Sequence, residues 1–168
     1  MFNLRHTLRG ARLALVLVAG LGLAACANNN AANGPMAGGA AATPGSPQDF
    51  VVNVGDRVFF TTDSSDLTAQ SRATLDKQAE WLNHYPQYTH FMIEGNADER
   101  GTREYNLALG ARRAQVVRDY LVSRGVAANR MSTISYGKER PVATCDDISC
   151  WSQNRRTVTD LHPGGASS

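Results

Sequence analysis

Between Ala27 and Asp49 the chain reads ANNNAANGPMAGGAAATPGSPQD, and Met36 is the only sizeable apolar side chain in it. A segment so poor in apolar surface cannot offset the entropy lost on ordering, so residues 26–49 read as a disordered tether. That limits what can fold to residues 50–162, which is 113 of the 168. A stretch of that length supports one domain of two layers around a single core. Residues 163–168 read as a flexible tail. Fully extended, the tether reaches at most about 75–85 Å. As a Gly-rich coil it spans roughly 25 Å on average.

The first 25 residues have a different pattern. Arg5, Arg9 and Arg12 precede a run from Leu13 to Ala25 without a charged or strongly polar side chain. The run is too short to cross a bilayer as a helix, which takes about 20 residues. A basic start, a short apolar stretch and small residues before a cut site describe an export signal. Its end, Leu23-Ala24-Ala25-Cys26, resembles the bacterial lipoprotein signal. That resemblance implies that Cys26 is lipidated and becomes the first mature residue. Ala27 after it, in place of aspartate, implies sorting to the outer membrane. Several acyl chains make such an anchor stable, whereas one binds only marginally.

Removal of residues 1–25 changes the charge: 17 − 3 = 14 Lys+Arg remain against 15 Asp+Glu, a formal −1. No basic excess argues for nucleic acid. Cys145 and Cys150 are the remaining cysteines. An oxidising periplasm permits a disulfide between them. Zinc would require further soft ligands at suitable spacing, and the segment offers none. A loop this short stabilises by only about 2 kcal/mol on the chain-entropy model, which makes it a local staple.

Strand and helix patterns alternate through the domain. Val51, Val54, Val58, Phe59 and Phe60 suggest a hairpin or strand with Gly55-Asp56 as its turn. Residues 68–85 space Leu75, Ala79 and Leu82 on one helical face, and Pro86 stops the helix. Residues 89–95 (THFMIEG) read as a buried strand. A second helix runs from about Thr102 to Arg124 with Leu109, Val116, Val117, Tyr120 and Leu121 inward, and Gly125 caps it. Met131 to Tyr136 and Thr157 to Leu161 complete the strands. This order implies at least one parallel pair joined by a right-handed crossover.

The loop from Asn96 to Thr102 concentrates the chemistry. Asp98, Glu99, Arg100, Arg103 and Glu104 supply both signs of charge at the end of a strand and the start of a helix, where ligands gather in open sheets. Thr102 can cap the helix, whose start favours anions. From these residues alone, a site for a small zwitterion and a solvated turn with internal ion pairs both remain open.

Asp98, Gly101, Asn106, Leu109, Arg113, Ala114, Val117 and Leu121 match the pattern D-x2-G-x4-N-x2-L-S-x2-R-A-x2-V-x3-L of the OmpA-like peptidoglycan-binding family, with Gly110 at the serine position the one departure. Within that family, ADERGT (97–102), SYGKERP (135–141) and NRR (154–156) resemble the branch of peptidoglycan-associated lipoproteins of the Tol–Pal system. The likeness covers roughly residues 57–159. It implies an α+β fold, a βαβαββ two-layer sandwich with a mixed sheet and helices packed on one face. It implies no enzyme activity and no cofactor or metal.

The family's ligand is the stem peptide of peptidoglycan, recognised through meso-diaminopimelate, so the resemblance assigns roles here. Asp98 pairs with the ligand ammonium, and Arg113 holds its carboxylate in a planar fork. Thr102 and Asn106, four apart on one helix face, add hydrogen bonds. Arg100 occupies a family contact position, Leu109 lies on the same face, and Phe60 either walls the pocket or belongs to the core. Asn96 stands where many relatives have histidine, and Thr61 where several have aspartate. Asn96 carries no titrating charge, which removes any pH dependence a histidine would bring.

Other side chains carry less. His84 and His90 flank the Pro86 turn and read as surface or half-buried structural residues ahead of metal ligands or catalysts, and Trp81 belongs to the core or to a partner-facing surface. Asp98 and Glu99 are adjacent, so they diverge and cannot flank one glycosidic bond. The function these features imply is an outer-membrane lipoprotein that binds the wall non-covalently from the periplasmic side. As a member of that branch it would also bind TolB in competition with the wall and support envelope integrity and constriction at division. The rival readings are an OmpA-like wall-binding lipoprotein outside the Tol system, a wall hydrolase, and a purely structural envelope lipoprotein.

Overall fold

A hydroxyl cap opens each of the two long helices. The Thr68 hydroxyl accepts from the Ser71 amide at 3.1 Å and starts α2 (Ala69–His84). The Thr102 hydroxyl accepts from the Tyr105 amide at 3.2 Å and starts α3 (Arg103–Ser123), which ends before Gly125 at φ +89°. Such caps are worth about 1 kcal/mol each. The computed structural model describes residues 42–162. The leader, lipidation at Cys26, the tether as far as residue 41 and the tail from residue 163 lie outside the described residues.

Among the described residues four strands form one sheet: β1 (Arg57–Phe59), β2 (Phe91–Asn96), β3 (Met131–Gly137) and β4 (Arg156–Asp160). Their order is β1-β4-β2-β3, with β2 and β3 parallel and both neighbours of β4 antiparallel to it. The long α3 makes the β2-to-β3 crossover, as the alternation of elements implies. Leu75, Ala79 and Leu82 of α2 meet Ala114, Val117 and Leu121 of α3 over Val58, Phe91, Ile93 and Met131 of the sheet. Each fully buried aliphatic or aromatic side chain contributes roughly 1.5–3 kcal/mol. One polar residue joins the layers: Gln78 is 0% exposed, donates to the Gly55 carbonyl at 2.6 Å and accepts from the Thr159 hydroxyl at 2.9 Å.

Gly95 and Gly110 bring α3 onto β2. A Cβ on Gly95 would lie 1.9 Å from the Gly110 carbonyl oxygen, and one on Gly110 would lie 2.4 Å from the Ser135 hydroxyl. Gly110 is the residue that departs from the family pattern, and it fills this contact. The Ser135 hydroxyl donates to the Leu107 carbonyl at 2.7 Å and fixes β3 against the same helix.

Two expectations change at the domain's start. Phe50–Val54 is not one arm of a hairpin. It is a wide helical turn that continues α1 (Pro47–Asp49), and only Arg57–Phe59 is extended. Burial of Phe50 against Trp81, ring centroids 4.8 Å apart, outweighs the strand preference of Val51, Val52 and Val54. The ordered part also begins before Phe50. The Ser46 hydroxyl caps α1, and the Asp49 carboxylate accepts from the Trp81 indole at 2.8 Å and the Asn53 amide at 2.7 Å. A short helix, α4 (Ile148–Asn154), was not legible in the sequence. The Cys145–Cys150 disulfide staples its start, as expected.

Candidate functional site

The loop Ala97–Thr102 leaves β2 at its carboxyl end and enters α3. Three groups shape it. Asn106, 2% exposed, donates its amide to the carbonyls of Arg100 at 2.8 Å and Thr102 at 3.0 Å. Lys138, just past β3, donates to the carbonyls of Glu99 at 3.1 Å and Gly101 at 2.7 Å. Gly101 takes a φ of +87°, open to glycine and resisted by other residues.

Asp98 sits at the centre and is 7% exposed. Its carboxylate accepts from the Arg100 guanidinium at 2.8 and 3.1 Å, from the Arg100 amide at 3.2 Å and from Arg155 at 3.2 Å. Burial pushes this carboxyl up, but the hydrogen bonds from Arg100 and Arg155 outweigh it and hold the group below the usual carboxylate range. The two arginines differ in freedom. Arg155 is buried, its guanidinium also donating to the Phe60 carbonyl at 3.0 Å. The Arg100 side chain is 41% exposed and lies over the Trp151 ring, 4.3 Å from its centroid. The Trp151 indole donates in turn to the Glu99 carboxylate.

Arg113 lies behind this layer and is 0% exposed. It donates to the carbonyls of Ser64 at 2.9 Å, Asn96 at 2.9 Å and Thr61 at 3.1 Å. Three of its five N–H groups are thereby committed. Burial, then Arg155, pulls its pKa down to about 10, which leaves it protonated at neutral pH. Phe60 belongs to the main core and also faces this guanidinium, 5.0 Å from ring centroid to Cζ. Leu109 is buried but stands outside the main hydrophobic cluster. Asn96 is 1% exposed; its amide donates to the Glu94 carbonyl at 3.3 Å, and its Oδ1 has no partner among the described residues.

The expected residues therefore meet, with a division of labour the sequence did not show. Thr102 and Asn106 spend their hydrogen bonds on the loop and helix start, and Asp98 and Arg113 make no direct bond to each other. Arg155 stood in the sequence only as part of the NRR motif, and its bond to Asp98 is new. Lys138 and Trp151 were missed. Lys138 lay inside a noted motif, whereas nothing local marks Trp151. His84 and His90 are exposed, and no metal-binding group of three or more His, Cys, Asp or Glu occurs among the described residues.

What the arrangement offers is one buried carboxylate held by Arg100 and Arg155, with the charged Arg113 behind them and Arg100 the one exposed to solvent. The OmpA family model matches residues 59–155. This chain belongs to the OmpA family. It is 64% identical over 156 residues to the peptidoglycan-associated lipoprotein of Mesorhizobium japonicum, covering 90% of this chain and 92% of the relative. Against the protein of the same name from Rhizobium meliloti the identity is 66% over 158 residues, covering 92% and 88%. Among solved structures, the peptidoglycan-associated lipoprotein of Burkholderia pseudomallei superimposes with a TM-score of 0.63 at 42% identity, covering 68% of this chain and 98% of that one. The C-terminal domain of Helicobacter pylori MotB gives 0.58 at 25% identity, covering 62% and 81%. The OmpA-family architecture is thus the α+β mixed sheet foreseen from the sequence, and the family's members are binding proteins rather than enzymes.

Proposed function

We propose that this protein is a lipid-anchored outer-membrane protein that holds peptidoglycan non-covalently at the Asp98 loop, tying membrane to wall. The observation that carries this reading is the buried Asp98 carboxylate on an OmpA-family scaffold, ringed by cations from three separated sequence motifs. The similarity to peptidoglycan-associated lipoproteins along most of the chain supports it.

The geometry suggests how meso-diaminopimelate would enter. Its side chain ends in an ammonium and a carboxylate. The ammonium takes the place of the Arg100 guanidinium on Asp98, while Arg155 stays and keeps the carboxylate ionised. The displaced Arg100 is exposed and meets the ligand's anionic groups, near the start of α3 where backbone N–H groups also point outward. Arg113 retains two uncommitted N–H groups, and these reach the ligand carboxylate once the Thr61–Ser64 segment shifts. Exchange of one cation for another on a buried acid keeps the charge balanced throughout, which avoids the penalty of an unpaired buried carboxylate. The same face would serve TolB in the Tol system, in competition with the wall.

Sedimentation with purified peptidoglycan tests the reading. Wild type should co-sediment, and Asp98→Ala should stay in the supernatant while keeping its thermal transition cooperative. Arg113→Ala should also fail to bind. Retained binding in Asp98→Ala would sink the proposal, and release of soluble wall fragments would favour a hydrolase. Pull-down with TolB then separates a Tol-linked role from wall binding alone.

A further inference from the structure

The sheet face turned away from α2 and α3 carries a cleft of about 610 Å³. Side chains alternate along a strand. Thr159 reaches Gln78 on α2, so Arg156 and Val158 lie on the opposite face, with Glu94 paired across from Val158. Val51, Arg57, Arg140 and Val142 border the cleft.

Most charges here are matched. Arg57 donates to both oxygens of Asp56 at 2.8 Å. Arg140 stands 3.7 Å from Glu94 and over the Tyr136 ring. Arg156 is different. It is 6% exposed, its Nη2 donates to the Arg140 carbonyl at 3.1 Å, and its Nε and Nη1 have no partner among the described residues. Glu94 and Asp56 attract its charge through space without a hydrogen bond, and Asp160 lies four residues further along β4, roughly 13 Å away. A buried guanidinium with idle donors is costly, and a carboxylate removes that cost. Beside it, Val51 and Val142 are 45% and 54% exposed, an apolar rim that a small anion would leave uncovered. The volume suits several residues of peptide.

We propose that this cleft binds an extended acidic segment of a protein partner, with an Asp or Glu carboxylate on Arg156 and aliphatic neighbours against Val51 and Val142. The site lies on a different face from the Asp98 loop and does not depend on the wall reading.

The test is a titration of the full lipidated protein in detergent micelles with the acetylated, amidated peptide AVEVA. NMR reads the Arg156 Nε–H and the amides of Val142 and Val158. Saturable shifts are expected, weakened about tenfold or more by the peptide AVQVA, in keeping with loss of a charge-assisted hydrogen bond. Arg156→Gln should abolish them. Val142→Asp, an exposed rim change that leaves the core intact, should weaken binding at least as much as the glutamine peptide does. Absence of saturable shifts at millimolar peptide, equal binding of AVQVA, or undiminished binding by Val142→Asp would each overturn the proposal. Acetate reproducing the peptide's shifts at the same affinity would overturn it too, leaving a simple anion site.

Discussion

Asp98 owes its ionisation to two arginines acting against its own burial, and this has a signed consequence. Because its folded pKa is depressed below the usual 3.8, the stability it brings is fully present above the unfolded value. That stability is lost as pH falls through the lower, folded value. The stability gap between wild type and Asp98→Asn should therefore stay constant from pH 7 down to about 4 and close below it. Urea midpoints across that range decide, and a gap that closes between pH 7 and 5 would contradict the assignment. Arg113 makes a different prediction. Removing it strips the donor from three backbone carbonyls around the site, at about 1–3 kcal/mol for each one left buried without a partner. Arg113→Ala should thus lose about 3 kcal/mol or more in chemical unfolding. The motif spacing exposed these two residues; it did not expose Arg155 as the partner of Asp98, or Lys138 as the group that holds the carbonyls of the loop. Contacts between residues 98 and 155 depend on how β4 inserts between β1 and β2, and no local pattern encodes that insertion.

At the scale of elements, the tight spot is where α3 crosses β2. Gly95→Ala would set a methyl 1.9 Å from a backbone oxygen, which no rotamer change relieves. Overpacking of this kind typically costs 1–3 kcal/mol, and a backbone clash belongs at the upper end, about 3 kcal/mol. A thermal midpoint within a degree of wild type would show that the helix can slide. The disulfide makes a milder and more local prediction. Cys150→Ser should cost about 2 kcal/mol and speed hydrogen exchange in residues 143–152, with β2 and β4 unchanged. Since Trp151 follows Cys150 directly, loosening α4 also frees Arg100 from its aromatic support. Helices with apolar spacing and hydroxyl caps were readable to within a residue or two. Phe50–Val54 misled because valine-rich sequence favours a strand unless a distant partner intervenes, and Trp81 is that partner. The short α4 depends on a staple and a loop rather than on periodicity.

Across the whole molecule, the two ends of one strand carry two attachments. At the start of β2, the Tyr88 hydroxyl donates to the Gly45 carbonyl, and Trp81 holds both Phe50 and Asp49. At its end lie Asn96 and the Asp98 loop. β2 is interior to the sheet, hydrogen-bonded to β3 on one side and β4 on the other. Under the proposed function, tension between membrane and wall enters near Gly45 and leaves near Asp98, almost along the strand axis. Hydrogen bonds then resist in shear, all at once, instead of opening one by one like a zip. In single-molecule pulling through the chain before residue 42, the wall fragment should detach while the sheet is still folded. Asp49→Ala should add a short extension beforehand as α1 peels from Trp81. The fold would then behave as a coupling whose grip slips before its body tears, so that an overstretched envelope sheds contacts it can remake.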